Sequence, residues 1–356
     1  MWPDGRLCEL FKIDHPIIQA PMSGSATPAL ASAVCNMGGL GSLACEAMTL
    51  PEVRIAAATM HAATNQPFNL NFFIQAAPTT DAAVLQRTRQ RLRPWYSALG
   101  LGEPPSELPD LAAAFGEEHL SLLLEVRPAV VSFHFGAPSP AAITALKNAG
   151  IVLISTATTV AEARSLEACG MDAVIAQGWE AGGHRGSHKP TGPGQGVGTL
   201  ALVPQVADAV RIPVIAAGGI GDGRGIAAAF ALGASGVQIG TGFLSCPEAG
   251  TDEPRRALLR KARDTDTMVT DAFSGLSARA MRSRFAEEME NPREPLPEFR
   301  QMYALSDPLL EVAAAHEVSF HLYGQAATLN RELPAADLLR RLIDETAEVF
   351  GKLSKG

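Results

Sequence analysis

Short apolar runs ending in Gly, Asn, Gln or His recur along this chain, separated by Ala-rich stretches of helical spacing, and this rhythm limits the available folds more than any other feature. Eight such runs stand at 15–20, 39–43, 68–72, 129–134, 151–155, 173–176, 213–217 and 236–240. Continuous apolar runs without polar alternation belong to strands buried on both faces, as in parallel sheets covered by helices. Eight parallel strands with helices between them meet the requirement for closure into a (β/α)8 TIM barrel. The spacers support this. Residues 27–34 open with Thr27-Pro28 and stop near Gly38-Gly39, residues 141–149 close with Gly150, and Gly170 and Gly233 end their helices in the same way.

Two stretches break the rhythm. Between the third and fourth strands, Ala76 to Arg127 is too long for an ordinary βα connection, and 76–124 is read as a helical insertion. From about Asp264 no further strand-helix alternation is seen, and the charged, Pro-containing run from Arg282 to Pro297 leads into Ala-rich helices ending near Phe350. The expected organisation is α/β: a barrel over 1–75 and 125–263, the insertion, and a smaller C-terminal helical domain over 264–356 that covers the active site. A length of 356 residues suits a barrel with insertions.

Composition narrows the function. With 47% hydrophobic and 19% charged residues the chain forms a core, which excludes a disordered protein. Its net charge of -8 and the absence of any Lys/Arg block leave no electrostatic footprint for nucleic acid, so small molecules are the expected partners. The five cysteines are widely spaced and lack a C-x-x-C pair, as suits reduced thiols. No 18-residue apolar run or secretory leader is visible, so the expectation is no membrane span and a cytoplasmic location.

Barrel chemistry sits at the C-terminal strand ends. There the sequence places Gln19 to Met22, Asn71, His134, the segment 177–184, Gly218-Gly219 and Gly240-Thr241. The most informative loop is 176–186, Ala-Gln-Gly-Trp-Glu-Ala-Gly-Gly-His-Arg-Gly. Gly182 and Gly183 remove side chains that would hold a planar or phosphorylated ligand off the main chain, and His184 adds a group titrating near neutrality. Glycines after the seventh and eighth strands, leading into 222–225, read as a phosphate cradle to which Thr241 adds a hydroxyl donor. No P-loop occurs, and 218–221 lacks the context of a dinucleotide fingerprint. His134 shares a strand phase with Ser132 and is read equally as a substrate contact or a buried structural histidine. His188 is read as solvated, and no metal is expected, because Gly186 and Pro190 keep the His184/His188 pair off a helix. Asp222 and Arg224 read as capping and surface groups.

Together, Gln19-Ala20-Pro21-Met22, the 176–186 loop, Ala216-Ala217-Gly218-Gly219-Ile220 and Gln238-Ile239-Gly240-Thr241 resemble the FMN-dependent nitronate monooxygenases (2-nitropropane dioxygenase-like). The resemblance spans 15–246, and Gly324-Gln325 and Leu333 to Ala336 extend it. It implies non-covalent FMN at the barrel mouth. Asn71 and Gln177 would hydrogen-bond the cofactor, Met22 would pack on the ring, and Gly182 and Gly219 would permit close approach. Gln238, Ile239, Gly240 and Thr241, with Gly219, would hold the phosphate. His184 would be catalytic, and His134 is the candidate substrate contact. The implied reaction oxidises alkyl nitronates of the propionate 3-nitronate type with O2 to a carbonyl product plus nitrite or nitrate. Nitronate and O2 are the implied partners, with a homodimer as the candidate assembly. Similar motifs occur in FMN-dependent NAD(P)H reductases acting on enoyl-acyl carriers or quinones, the nearest alternative. A non-catalytic or phosphate-ligand barrel is the more distant one. The segment 132–136 and the long insertion resemble the nitronate enzymes more closely.

Overall fold

A computed structural model describes residues 2–75, 79, 81–108, 114–189, 192, 194–314 and 316–354. The expected strands are present: β1 (Ile17–Gln19), β2 (Gly41–Ala44), β3 (Phe68–Phe73), β4 (Val130–His134), β5 (Val152–Ala157), β6 (Ala173–Gln177), then, after the two-residue β7 (Gly183–His184), β8 (Val214–Ala217) and β9 (Gly236–Ile239). All barrel pairings are parallel, in the order β1-β9-β8-β6-β5-β4-β3-β2, and a bridge between Ile18 and Leu40 brings the two ends together. This is a (β/α)8 TIM barrel.

Strand phase explains the pattern read from sequence. Leu43, Leu70, Val131, Leu153, Val174, Val214 and Val237 point outward into the layer beneath the helices, while Ile18, Leu40, Val130, Ile154, Ile175 and Ile215 fill the interior. Each such side chain, fully buried, contributes about 1.5–3 kcal/mol. Around the strands lie α1 (Arg6–Phe11), α2 (Pro28–Asn36), α3 (Leu50–Ala63), α4 (Ala82–Ala98), α5 (Glu117–Val126), α6 (Pro140–Asn148), α7 (Val160–Ala168), α8 (Thr199–Ala209) and α9 (Gly223–Ala231). Local chemistry sets their ends. Thr49 with Glu52 and Thr159 with Glu162 form capping boxes on α3 and α7. Gly170 and Gly233 follow α7 and α9 with φ of +98° and +95°, a conformation that favours glycine.

The C-terminal third departs from expectation. It holds α10 (Glu253–Arg260), α11 (Arg284–Glu290), α12 (Gln301–Val312) and α13 (Ala335–Leu353), but it is not wholly helical. β10 (Thr267–Thr270) and β11 (Ala278–Met281) form an antiparallel pair, and β11 also pairs with β7, matching Ala278 to His184. Nor does α13 cover the mouth. It lies along α9 and α2 with Leu338, Leu339 and Leu342 buried, so it is the barrel helix that follows β9 after a long excursion. The region 76–124 also serves two bodies. α5 packs on α3 and α6 in the barrel wall, whereas Leu85, Leu92, Trp95 and Tyr96 of α4 share one apolar core with Phe273, Phe285, Met302 and Leu305. Burial of a common apolar face joins α4 to β10, α11 and α12 as one cap, to which β11 is tied by its pairing with β10. No helix among the described residues is long and apolar enough to cross a membrane.

Candidate active site

Inward strand phase delivers Asn71, Phe73, His134, Thr156, Gln177 and Gln238 to the C-terminal end of the barrel, and Phe73 pairs with His134 in the β3–β4 register. Below them runs a buried polar layer. Asn69 Nδ2 donates to Ser42 Oγ (3.0 Å) and Ser132 Oγ (2.9 Å), and Asn71 Nδ2 donates to Ser132 Oγ (2.8 Å). Asn71 therefore stands where expected, with its amide nitrogen already engaged.

The loop after β6 is held rigidly. Arg185, 3% exposed, donates to the carbonyls of Gly178 (2.6 Å) and Gln177 (2.9 Å). Arg279 of β11 donates to the Trp179 carbonyl through Nε (3.1 Å) and a terminal nitrogen (2.9 Å). The two guanidinium carbons lie 5.2 and 5.8 Å from the centre of the Trp179 ring. Burial, with Arg279 nearby, pulls Arg185 down to about 10, leaving it charged at neutral pH. Glu180 fixes the far side by accepting from Thr199 N (2.9 Å) and Thr199 Oγ1 (2.9 Å). Gln177 spends both ends on this loop: Nε2 donates to the His184 carbonyl (3.0 Å) and Oε1 accepts from Gly186 N (2.8 Å).

His184 is half-buried, with Nε2 2.9 Å from Ser274 Oγ. The Ser274 hydroxyl donates to Leu276 O (3.1 Å), so it accepts from His184 and places the imidazole proton on Nε2. Nδ1 then carries the lone pair. Burial and the neighbouring His134 push His184 down to about 3, so the ring is neutral at physiological pH. Four phenylalanines surround it: Phe73, Phe135, Phe299 and Phe320, with ring centres 6.0, 6.1, 5.6 and 5.8 Å away. Phe135 has φ +71°, a left-handed conformation that costs an aromatic residue about 1–3 kcal/mol.

His134 has two protein partners. Nε2 donates to the His184 carbonyl (3.1 Å), and Nδ1 lies 3.0 Å from Thr156 Oγ1. Burial holds its pKa at about 4. Between the two readings open in the sequence, this geometry favours the buried structural histidine, which supports the backbone of the catalytic candidate. His188 is not solvated: it is half-buried, with Nε2 3.0 Å from Thr156 O, because the loop folds back over β5.

Other glycine and phosphate expectations divide. A Cβ on Gly182 would lie 2.5 Å from both Tyr323 C and Gly324 N, so this glycine makes room for the cap-proximal chain rather than for a ligand. The N-terminus of α9 is already taken. Asp222 accepts from the amides of Arg224 (3.0 Å) and Gly225 (3.2 Å), and Gly223 N donates to Glu345 (3.2 Å). Asp222 is thus the expected cap, and Arg224 is largely exposed. The cradle narrows to Gly218-Gly219, with φ of +105° and +72°, beside Gly240-Thr241 just after the neighbouring strand β9. Thr241 Oγ1 accepts from Gly324 N (2.9 Å), leaving its proton to donate elsewhere. Ile239 turns its side chain into the outer layer, so only its main chain faces this region. Met22 brings Sδ within 3.6 Å of an ideal Cβ on Gly240. Gln238 Oε1 is buried without a hydrogen-bond partner among the described residues.

Sequence reasoning missed Ser274, Arg279, Phe299 and Phe320. All come from the cap and its flanks, and no local motif marks them; tertiary packing of the cap brings Ser274, Phe299 and Phe320 to His184, and the pairing of β11 with β7 brings Arg279 to its loop.

A barrel with a neutral histidine and a glycine-lined rim beneath an aromatic cap defines a class of small-molecule enzyme. Residues 4–345 match the family model described as nitronate monooxygenase. The chain is 46% identical to the nitronate monooxygenase of Paraburkholderia phytofirmans, over 98% of this chain and 96% of that protein. Among solved structures it is similar to nitroalkane oxidase from Streptomyces ansochromogenes, with a TM-score of 0.87 and 37% identity over 98% of this chain and 99% of the other. FabK from Thermotoga maritima matches with a TM-score of 0.74 and 32% identity over 98% of each chain. The chain belongs to the nitronate monooxygenase family.

Proposed function

We propose that this chain is an FMN-dependent nitronate monooxygenase, oxidising alkyl nitronates with O2 to a carbonyl product plus nitrite or nitrate. The carrying observation is His184 at the barrel mouth, ringed by four phenylalanines, its Nε2 held by Ser274 and its pKa pushed down by burial. Family membership and the better match to nitroalkane oxidase than to FabK favour this reading over a reductase.

The residues suit FMN. A buried amide oxygen without a donor costs about 1–3 kcal/mol, and a ribityl hydroxyl or flavin N–H would supply that donor to Gln238 Oε1. Gly219, Gly240 and Thr241 would hold the phosphate through main-chain amides and the Thr241 hydroxyl, and Met22 would flank the ring. When bound, FMN supplies the electron acceptor for the substrate and the route to O2.

The protein's own part concerns protons and water. With the Nε2 proton on Ser274, Nδ1 offers a lone pair; if the Ser274 hydroxyl turns to donate to Nε2, Nδ1 carries the proton and donates to a nitronate oxygen. An anion at Nδ1 favours this second state. Burial that lowers the His184 pKa weakens it as a base for a neutral nitroalkane and favours its role as a hydrogen-bond partner of a preformed nitronate. The phenylalanines exclude water, strengthening the hydrogen bond to the anion.

The test is anaerobic mixing of the FMN-loaded protein with propyl 1-nitronate or with NADH, followed by oxygen-uptake assays. Flavin bleaching by the nitronate and not by NADH is expected; rapid bleaching by NADH alone would move the chain to the reductase reading.

A further inference from the structure

Arg185 and Arg279 are each only 3% exposed, and among the described residues neither forms an ion pair. Arg185 donates to the carbonyls of Gly178 and Gln177, and Arg279 donates to the Trp179 carbonyl and, through Nη1, to Thr267 Oγ1 at 2.9 Å. These acceptors are neutral. They satisfy the N–H groups and leave both charges uncancelled. The acidic groups whose fields reach the pair are Glu180 for both arginines and Glu162 for Arg185. Each of those carboxylates is engaged elsewhere: Glu180 accepts from the amide and hydroxyl of Thr199, and Glu162 from the amides of Thr158, Thr159 and His188.

Burying one ion without a counter-ion is costly, and a second of like sign beside it adds repulsion. Holding loop carbonyls does not require this, because a neutral amide side chain can donate to a carbonyl without the charge. Position supplies the reason. Arg185 follows His184 directly and grips the main chain of Gln177, while Arg279 stands opposite Gly183 in the β7–β11 register. The field of Arg185 also reaches across the site, since His134, lowered chiefly by burial, is lowered further by this cation.

We propose that Arg185 and Arg279 form an uncompensated cationic pair whose field raises the reduction potential of the flavin bound in front of them. Two electrons and one proton taken up by the neutral ring leave it with one negative charge, and a fixed positive field in a poorly solvated interior favours that form. The inference rests on the FMN-binding part of the reading above. It holds whether a nitronate or a nicotinamide delivers the electrons.

The test uses the FMN-loaded protein without substrate. Its midpoint potential is read by equilibrium titration against a redox dye. Sulfite, whose sulfur lone pair bonds to the oxidised ring and leaves a negative charge on it, is titrated by bleaching of the flavin. The parent should have a potential above that of free FMN. Arg279→Gln, which removes the charge and keeps an amide donor, should weaken sulfite binding about tenfold and lower the potential by about 30 mV, the equivalent of tenfold for two electrons. Arg279→Lys, which keeps the charge and loses the forked contact with Trp179 O, should bind sulfite as the parent does. Arg185→Gln and Arg185→Lys repeat the comparison at the other position. Equal losses in the Gln and Lys variants, or no loss in the Gln variants, overturn the inference and leave FMN binding standing. A parent potential at or below that of free FMN also overturns it, and this measurement stands even where a variant fails to fold. A parent that does not bind FMN overturns both the inference and the reading beneath it.

Discussion

Ser274 Oγ sits 2.9 Å from His184 Nε2 and donates its own hydrogen bond to Leu276 O, so a cap residue decides which nitrogen of a barrel histidine is protonated. Ser274→Ala removes that control and leaves Nε2 without its partner. We expect a fall in kcat/KM of about tenfold, about 1.4 kcal/mol, with flavin content unchanged. Nitrogen chemical shifts of His184 check the cause, since the variant should show mixed tautomers where the parent shows one.

His184 and His134 are held at about 3 and about 4, well below a free imidazole near 6.5, chiefly by burial. The folded state therefore resists their protonation. The stability this gives is complete above pH 6.5 and is lost as pH falls from there toward 3 to 4. Denaturant unfolding of the parent and of His184→Asn should show a stability difference that moves against the parent as pH drops through this window. Activity on preformed nitronates should show no step near pH 6.5; such a step would mean that His184 titrates normally.

Glu46 shifts in the opposite direction. Burial raises its carboxyl to about 7 against the opposing pull of Arg300. Because its folded value lies above the unfolded one, its contribution is fully present below pH 4.5 and is lost as pH rises through 7. The stability of Glu46→Gln relative to the parent should increase between pH 4.5 and 7, a trend that thermal melts at several pH values would reveal.

Gln238→Leu separates fold from cofactor. Removing a buried acceptor without a partner should leave the flavin-free protein as stable or more so, by up to about 1–3 kcal/mol, while FMN binding weakens by about tenfold. Fluorescence titration with FMN and melts of the flavin-free protein would read the two effects separately.

Gly182→Ala tests the reassigned glycine. Its Cβ would press on the main chain of Tyr323 and Gly324 at 2.5 Å, and backbone cannot move aside as a flexible side chain can. A loss of about 1–3 kcal/mol in unfolding free energy is expected, visible without any flavin present.

The barrel was legible because its strands are covered on both faces, which writes each of them as an unbroken apolar run; the His184 loop was legible because its glycines and histidine are contiguous. The failures have physical causes too. α13 carries a clear amphipathic pattern, but nothing local tells such a helix which surface it will cover, and β9 lies far upstream of it. β11 reads Ala-Arg-Ala-Met, four residues that suit a helix at least as well, and becomes a strand because β7 and β10 flank it. Gln177 illustrates a subtler limit. Its position at the rim was plain, whereas its engagement with His184 O and Gly186 N depends on a turn that folds back on the strand end.

Since β9 ends at Ile239 and its covering helix begins only at Ala335, the C-terminal part of the cap is a detour within one βα unit, and α4 joins it from a second connection, the one between β3 and β4. A terminal flap could swing wide on a single hinge. A cover moored in this way has its ends fixed by the cylinder, and the Phe299 and Phe320 rings it lowers over His184 are placed by the barrel as much as by the cap itself.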